Sequence, residues 1–294
     1  MGISRRDFLK KSAMATAGVA ILGLGGCAKA VSDQPVAEEK PAMKVKVACF
    51  SPTEGTKNAA AMLAAKFSDD VEYVDITNLD ARSTEVQFAK DDLAIFAAPS
   101  YGGQIPMIEG LFSNIKGDGT PCIVACAFGN RAVENVYANL AKIASDNGFV
   151  VIGAIGLVTP HVFASVAKAG HSRPNVEDNK VMAEFAAKIK EKLAAGNVQA
   201  IAIEGNPDVD FAKELSVAPK MFNRDNCINC GMCASSCPTG AIDKTTLETD
   251  ESKCISCQRC SFVCEYNARS YDTAVKKDFI EGKLSVKQPV EYLV

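Results

Sequence analysis

Val45-Lys46-Val47-Ala48-Cys49-Phe50 runs straight into Ser51-Pro52-Thr53-Glu54-Gly55-Thr56-Lys57, a short apolar segment that ends in a loop of hydroxyls and glycine and then opens a helical pattern. The alternation repeats down the chain. Apolar runs recur at Val71 to Ile76, Leu93 to Ala98, Cys122 to Phe128 and Phe149 to Val158. Between and after them, Val133, Val136, Leu140 and Ile143 mark one helical face closed by Gly148, and Val181, Phe185, Ile189 and Leu193 mark another ended by Gly196. Continuous apolar strands separated by helices predict an α/β domain, a parallel sheet covered on both faces. Cys49, Cys122 and Cys126 fall inside the strand patterns and read as small core hydrophobes.

Ligand sites in such sheets lie beyond the C-terminal ends of the strands. Three loops there have a distinctive make-up. Ser51, Thr53, Gly55, Thr56 and Lys57 gather hydroxyls, backbone N–H groups and an ammonium at a helix N-terminus, a setting that suits phosphate. Hydroxyls also simply cap helices, and this loop alone does not separate the two roles. The second loop, Pro99, Ser100, Tyr101, Gly102 and Gly103, offers a ring face and glycines that admit close backbone approach. The third is Phe128, Gly129, Asn130 and Arg131.

In this order the three loops resemble the flavodoxin-like part of flavodoxin–ferredoxin fusion proteins, over roughly 43 to 196 and within a domain taken as 43–200. The resemblance implies a flavodoxin-like, five-stranded parallel sheet that binds FMN. Its phosphate would sit on Ser51, Thr53, Gly55, Thr56 and Lys57, and the isoalloxazine between the loops of 99–103 and 128–131. Two positions depart from that family. Glu54 stands where glycine is usual, and a carboxylate beside a phosphate repels it unless the side chain turns away. Phe128 replaces the more usual tyrosine, keeping a ring for the flavin and losing a hydroxyl.

Eight of the twelve cysteines lie between Cys227 and Cys264. Cys227-x2-Cys230-x2-Cys233-x3-Cys237-Pro238 recurs 27 residues later as Cys254-x2-Cys257-x2-Cys260-x3-Cys264. Three thiolates from one loop, with a fourth that points to the other cluster, is the pattern of a doubled [4Fe-4S] site. Crossing the ligands puts Cys227, Cys230, Cys233 and Cys264 on one cluster and Cys254, Cys257, Cys260 and Cys237 on the other. A disulfide framework and zinc are the rivals, and neither calls for two identical three-gap repeats. From 221 to about 271 the segment closely resembles bacterial two-cluster ferredoxins, which implies a small α+β domain, here 221–273. Ile228, Met232, Ile255 and Phe262, with the Thr239-Gly240-Ala241-Ile242 fragment, read as covers that shield the clusters from water. Glu265 replaces a proline common in that family, and a nearby carboxylate disfavours adding an electron.

The N-terminus carries Ser4-Arg5-Arg6-Asp7-Phe8-Leu9-Lys10 and then the apolar stretch Ala13 to Leu24, which reads as a twin-arginine export signal over 1–26. Leu24-Gly25-Gly26-Cys27 resembles a lipobox, which would place a lipid on Cys27. Cleavage after Ala30 is the alternative. Residues 27–42 read as a tether. No apolar run in the chain reaches the roughly 18 to 20 residues of a spanning helix, so that lipid would be the only membrane link. The expected location is extracytoplasmic, periplasm or outer membrane face, with the protein exported folded and either lipid-anchored or soluble.

A chain of 294 residues with 48% hydrophobic and 23% charged content is of globular composition. Its net charge is −3, and removing the basic signal makes the remainder more acidic, which argues against nucleic acid as a partner. There is no Ser-His-Asp order, no His-Glu-x-x-His, and no Gly-x-Gly-x-x-Gly between a strand and a helix. His161 and His171, the only histidines, receive no catalytic role. The connector 201–220 is expected to pack rather than swing, and 274–294 is a tail of no assigned partner. The whole predicts an exported carrier relaying electrons between two [4Fe-4S] clusters and FMN, served by a redox protein or a quinol-linked membrane partner. The alternatives are a flavin-dependent reductase of a small acceptor, and a ferredoxin whose flavodoxin-like domain has lost FMN and docks a partner.

Overall fold

The computed structural model describes residues 43–162, 170–209, 220–272, 282 and 287–294. The expected signal and tether, 1–26 and 27–42, with Cys27, lie outside them. In chain order the elements are β1 (Val45–Cys49), α1 (Gly55–Ala64), β2 (Val71–Asp75), β3 (Val86–Gln87), β4 (Leu93–Pro99), β5 (Ile115–Lys116), β6 (Thr120–Phe128), α2 (Val136–Asp146), β7 (Phe149–Val158) and α3 (Val176–Ala194). After the connector come β8 (Lys220–Phe222), α4 (Met232–Ser235), α5 (Arg259–Phe262), β9 (Arg269–Tyr271) and β10 (Tyr292–Leu293).

The main sheet runs β10-β7-β6-β4-β1-β2. Its pairs β1 with β2, β1 with β4, β4 with β6 and β6 with β7 are all parallel. Taken alone, these five strands have the order 2-1-3-4-5, the doubly wound flavodoxin-like arrangement. β4 and β6 are buried almost end to end, as a sheet covered on both faces requires. Gly153 and Gly156 show how the covering works. Space beside Gly153 is taken by Phe185 and Ile189 of α3, and space beside Gly156 by Val133 and Tyr137 next to and within α2. The two glycines are an odd number of residues apart, so α2 and α3 lie on opposite faces. α3 begins with a capping box in which Asn175 and Asp178 satisfy each other's backbone N–H groups.

The five parallel strands expected from the sequence are present, and a sixth strand joins them at one edge. The sixth is β10, antiparallel to β7 through Tyr292 opposite Ile155 and Leu293 opposite Ala154. The C-terminal tail thus returns to the sheet edge. Gly156 N–H and the Tyr137 hydroxyl both donate to the Glu291 carbonyl, at 2.9 and 3.1 Å, and Arg173 donates to the Gln288 carbonyl at 3.0 Å. Residues 201–209 of the expected connector pack, with 210–219 outside the described residues: Ile201 N–H donates to the Val151 carbonyl at 2.9 Å, and Ile201, Ile203 and Val209 lie against the core.

The cysteine-rich lobe is built twice. β8 and β9 pair antiparallel and bracket it. Left-handed backbone occurs at Asn229, Gly231 and Gly240 in the first half and at Ser256, Gln258 and Asn267 in the second, each pair 27 residues apart. The sequence repeat is therefore a conformational repeat, and the tight turns around the cysteines set the positions where φ must be positive.

Candidate functional site

The strand order reverses between β1 and β4, where the loops that follow these strands open a crevice. The loop after β1 turns into α1 at Glu54, whose backbone is left-handed with φ 62°. Ser51 caps the helix through its Oγ, which accepts from Lys57 N–H at 3.0 Å, and its own N–H donates to Thr77 Oγ1 at 2.8 Å. Accepting that bond leaves the Ser51 O–H free to donate, so capping and phosphate binding are compatible at this residue. Among the described residues the N–H groups of Gly55 and Thr56 have no acceptor, and both residues line the crevice with Thr53. An anion at this N-terminus would meet unused donors.

Glu54 turns away from that point. Its carboxylate lies 3.3 Å from Lys57 Nζ on one side and 3.3 Å from Arg259 Nη1 on the other. The guanidinium also donates to the Pro52 carbonyl at 3.0 Å. The departure from glycine thus serves a contact with the cysteine-rich lobe. Lys57 is engaged with the same carboxylate and does not line the crevice.

The second loop folds as a two-residue hairpin. Tyr101 and Gln104 exchange backbone hydrogen bonds at 2.8 and 3.3 Å, with Gly102 and Gly103 between them at φ 59° and 90°, the dihedrals of a type I′ turn. Pro99, Ser100 and Tyr101 line the crevice, and Tyr101 is half-buried, with desolvation of its hydroxyl raising the pKa well above the usual phenol value. Gly103 is needed for another reason than ligand approach: a Cβ there would fall 1.7 Å from the Glu134 carboxylate.

The third loop contributes Gly129 alone among its predicted residues, together with Ala127. Phe128 is the last residue of β6, 5% exposed, with its ring against Gly156 in the core. The alternation of side chains along β6 sends it into the sheet packing rather than to the crevice. Asn130 Oδ1 accepts from Gln288 N–H at 3.2 Å and so holds the returning tail. Arg131 makes a two-pronged ion pair with Glu134, at 2.8 and 2.5 Å. His161, given no role from sequence, lies in the wall, packed directly on Gly129, where a Cβ would come within 2.2 Å of its ring. Burial, and then the nearby Arg131 charge, lower its pKa from 6.5 to about 4, so it is neutral at ordinary pH. Beyond the crevice the lobes leave a wider cleft of about 510 Å³, with Asn58, Arg173 and Gln258 in its lining.

The last wall of the crevice is Cys257. A second cavity shares that residue and is lined by Cys237, Cys254, Cys257 and Cys260. These four are the crossed set expected from the sequence. Every described cysteine is a free thiol, which removes the disulfide framework. Among the described residues no three of His, Cys, Asp and Glu close round a single metal ion, whereas thiolates on a cubane each bind a different iron and stand further apart.

The donor set fits an electron-poor, positively charged core. Burial pushes the Cys257 thiol up to about 12 and that of Cys260 up to about 11, so only bound cations would hold both as thiolates. Backbone N–H groups already point at the sulfurs, from Arg259 to Cys257 and from Ser261 to Cys260. Ser256 Oγ, Gln258 Oε1 and Ser261 Oγ are buried with no partner, orphans at the edge of this cavity and of the cleft. In the other set, Asn229 N–H donates to Cys227 Sγ at 3.4 Å and Ala268 N–H to Cys264 Sγ at 3.3 Å, while Cys230 is exposed. Of the expected covers, Ile255 is buried, but Ile228, Met232 and Phe262 are each more than half exposed, so they border the clusters and do not seal them.

Two further contacts fix the lobes to each other. Arg82, beyond β2, donates to the Pro238 carbonyl, and the Tyr271 hydroxyl donates to the Val162 carbonyl at 2.7 Å. Ile255 and Cys257 belong to the same buried apolar cluster as the sheet.

Residues 220–243 and 247–270 each match the 4Fe-4S binding domain family, so the lobe holds [4Fe-4S] clusters. Among solved structures the chain is similar to a flavodoxin of Streptococcus pneumoniae TIGR4, at 18% identity over 51% of this chain and 98% of that one, with a TM-score of 0.33. Proteins described as flavoproteins from Bacteroides uniformis and Bacteroides eggerthii match at 12% and 16% identity, over 49% and 50% of this chain and 98% of each of theirs, with TM-scores of 0.32 and 0.33. No curated protein matches the chain significantly.

Proposed function

We propose that this protein is an exported electron carrier in which the crevice at the ends of β1, β4 and β6 holds FMN and the cluster on Cys237, Cys254, Cys257 and Cys260 is its redox neighbour. One observation carries the reading: Cys257 is a wall of both cavities. Clusters pass single electrons and a flavin takes one or two, so a chain holding both joins one-electron to two-electron traffic.

The residues divide the work. Gly55 and Thr56 present backbone N–H groups to a phosphate at the start of α1. Pro99, Tyr101, Ala127 and Val162 give the crevice an apolar slot for a ring. Glu54, held by Lys57 and Arg259, keeps its charge off the phosphate position and joins the lobes. Tyr101 and Cys257 line the same crevice, which supports a ring-bearing loop beside a cluster ligand. The second set, with Cys230 at the surface, would face an external redox protein or a quinol-linked membrane partner. Export by the twin-arginine route, with a lipid on Cys27 or cleavage after Ala30, rests on the N-terminal sequence; among the described residues no helix is long and apolar enough to cross a membrane.

The test is anaerobic purification of the full chain with assays of iron, sulfide and flavin, followed by stepwise reduction. Iron for two cubanes, stoichiometric FMN and a flavin that reduces through the clusters are expected. Iron without flavin, unchanged by added FMN, would sink the converter and leave a ferredoxin on a docking lobe. The cleft beyond the crevice favours a second reading, a reductase of a small acceptor, which predicts saturable oxidation of the reduced protein by particular small molecules.

A further inference from the structure

Arg259 touches both lobes. Its Nη1 donates to the Pro52 carbonyl at 3.0 Å and lies 3.3 Å from the Glu54 carboxylate, both in the loop after β1. The same residue lines the cavity bounded by Cys237, Cys254, Cys257 and Cys260, a cavity that no cysteine of the other set lines. Its Nε is buried and has no acceptor among the described residues. Ser256, in the same loop and on the same cavity wall, leaves its hydroxyl buried and unpartnered too. Unused donors in a protein interior are rare and costly, and two on one wall point to an acceptor inside the cavity. The inorganic sulfides of a [4Fe-4S] cluster are acceptors of that kind, and hydrogen bonds to the sulfurs help set its potential.

The contact between the lobes does not account for the whole residue. Both bonds to the loop after β1 use Nη1, so Nε is left over. The 27-residue repeat relates Arg259 to Met232, which is 51% exposed, whereas the Arg259 side chain is 16% exposed. The second half of the lobe thus puts a largely buried cation where the first half has an apolar surface residue. Charge is left over as well. Glu54 is shared with Lys57 at 3.3 Å, so two cations meet one carboxylate and a surplus positive charge remains.

We propose that Arg259 tunes the cluster held by Cys237, Cys254, Cys257 and Cys260: its Nε–H and its charge favour the reduced state, and Glu54, from the other lobe, sets how much of that charge the cluster feels. The proposal rests on the cluster assignment above and needs no flavin. Four thiolates leave a [4Fe-4S] centre negatively charged, and an added electron makes it more so. A cation fixed in a poorly solvated wall therefore makes reduction easier, and a carboxylate that neutralises part of the cation opposes it. The side chain that joins the lobes is in this way an electrostatic link from the loop after β1 to the cluster.

The test uses the full chain purified anaerobically with both clusters, and reads iron content and the two cluster midpoint potentials by EPR-monitored redox titration. A soluble paramagnetic lanthanide chelate tells the two signals apart, since it relaxes the cluster of the set with exposed Cys230 more than that of the set with buried Cys257. Arg259→Gln is expected to lower the reduction equilibrium of the buried cluster about tenfold, about 59 mV for one electron. Glu54→Gln is expected to raise it, and to do less in the Arg259→Gln background than in the wild type. Full iron with the buried midpoint unmoved in Arg259→Gln overturns the proposal, as does a shift confined to the exposed cluster. If Arg259→Gln loses iron, Glu54→Gln decides, because it leaves the arginine in place: a raised midpoint supports the proposal and an unmoved one overturns it. Wild-type protein without iron would instead overturn the cluster assignment itself.

Discussion

The contact between Glu54 and Arg259 makes the sharpest prediction, because it explains a residue that otherwise looks hostile to the phosphate loop. At 3.3 Å the two charges attract by about 5 kcal/mol in an effective dielectric of about 20. The side chains are 16% and 31% exposed, and their desolvation and lost rotamer freedom offset most of that, leaving about 1 kcal/mol for the pair. Glu54→Gln keeps the left-handed backbone question out of the comparison, and Arg259→Gln removes the partner charge. The assay is hydrogen exchange read by mass spectrometry on peptides spanning 52–60 and 255–264, with flavin and iron content as controls. A loss of about 1 kcal/mol speeds local opening about 5-fold. Each single change should show it, with Arg259→Gln the larger because it also loses the Pro52 bond. The double variant should open little faster than Arg259→Gln alone, since the only further loss is the more exposed pair with Lys57. If the effects of the two single changes simply multiply in the double, the groups do not interact and the latch is refuted.

His161 is neutral in the fold, with its pKa lowered to about 4 from 6.5. The unfolded chain therefore binds the extra proton first as pH falls, and about 3 kcal/mol of stability should be lost between pH 6.5 and 4; His161→Gln should flatten that slope in a pH series of unfolding. Phe128→Tyr, at a ring that the family resemblance assigns to the flavin, should instead cost about 1 to 3 kcal/mol by adding a hydroxyl to a buried ring at the end of β6, and leave the flavin potential unmoved in a redox titration. Removing 291–294 deletes β10 and the contact of Tyr292 with Phe185, whose ring centroids are 5.5 Å apart. The loss should be about 2 kcal/mol, read as a melting temperature lower by about 5 °C, with cluster iron retained.

Much of this architecture was legible because its signals are periodic and dense. All five long strands and two of the main helices appear in the sequence as apolar runs and 3.6-residue faces, and Gly148 and Gly196 end their helices with positive φ as read. The crossed cysteine set was legible from spacing. What escaped depended on tertiary contact. β10 is two residues long and carries no period of its own, since its strand character comes from pairing with β7. Phe128 was misjudged for a related reason: a motif locates a residue in a loop, but the pleat of β6 decides which way its ring points. Glu54 looked like a defect because its partner is 205 residues away. His161 gave no signal, since the partners that place it in the wall, Gly129 and Arg131, belong to a different loop.

The order of the elements along the chain has a further consequence. β10 completes the sheet of the flavodoxin-like lobe, yet it is made only after all eight cluster cysteines. The sheet edge and the cysteine-rich lobe are therefore not two beads on a string. Arg173 and Asn130, both in loops of the first lobe, grip the backbone of Gln288 on its way to β10, while Arg82 and Arg259 tie the intervening lobe to the mouth of the crevice. A chain threaded in this way reaches its final edge only when the cysteine-rich segment lies where the crevice is. Cluster insertion would thus precede or accompany closure of the sheet rather than follow it. An apo chain should then leave both places unsettled at once, with rapid exchange at β7 and β10 as well as around the cysteines. A flavodoxin-like lobe that protects its sheet edge fully without iron would show that the two lobes fold independently and that the returning strand is only an ornament of the sheet.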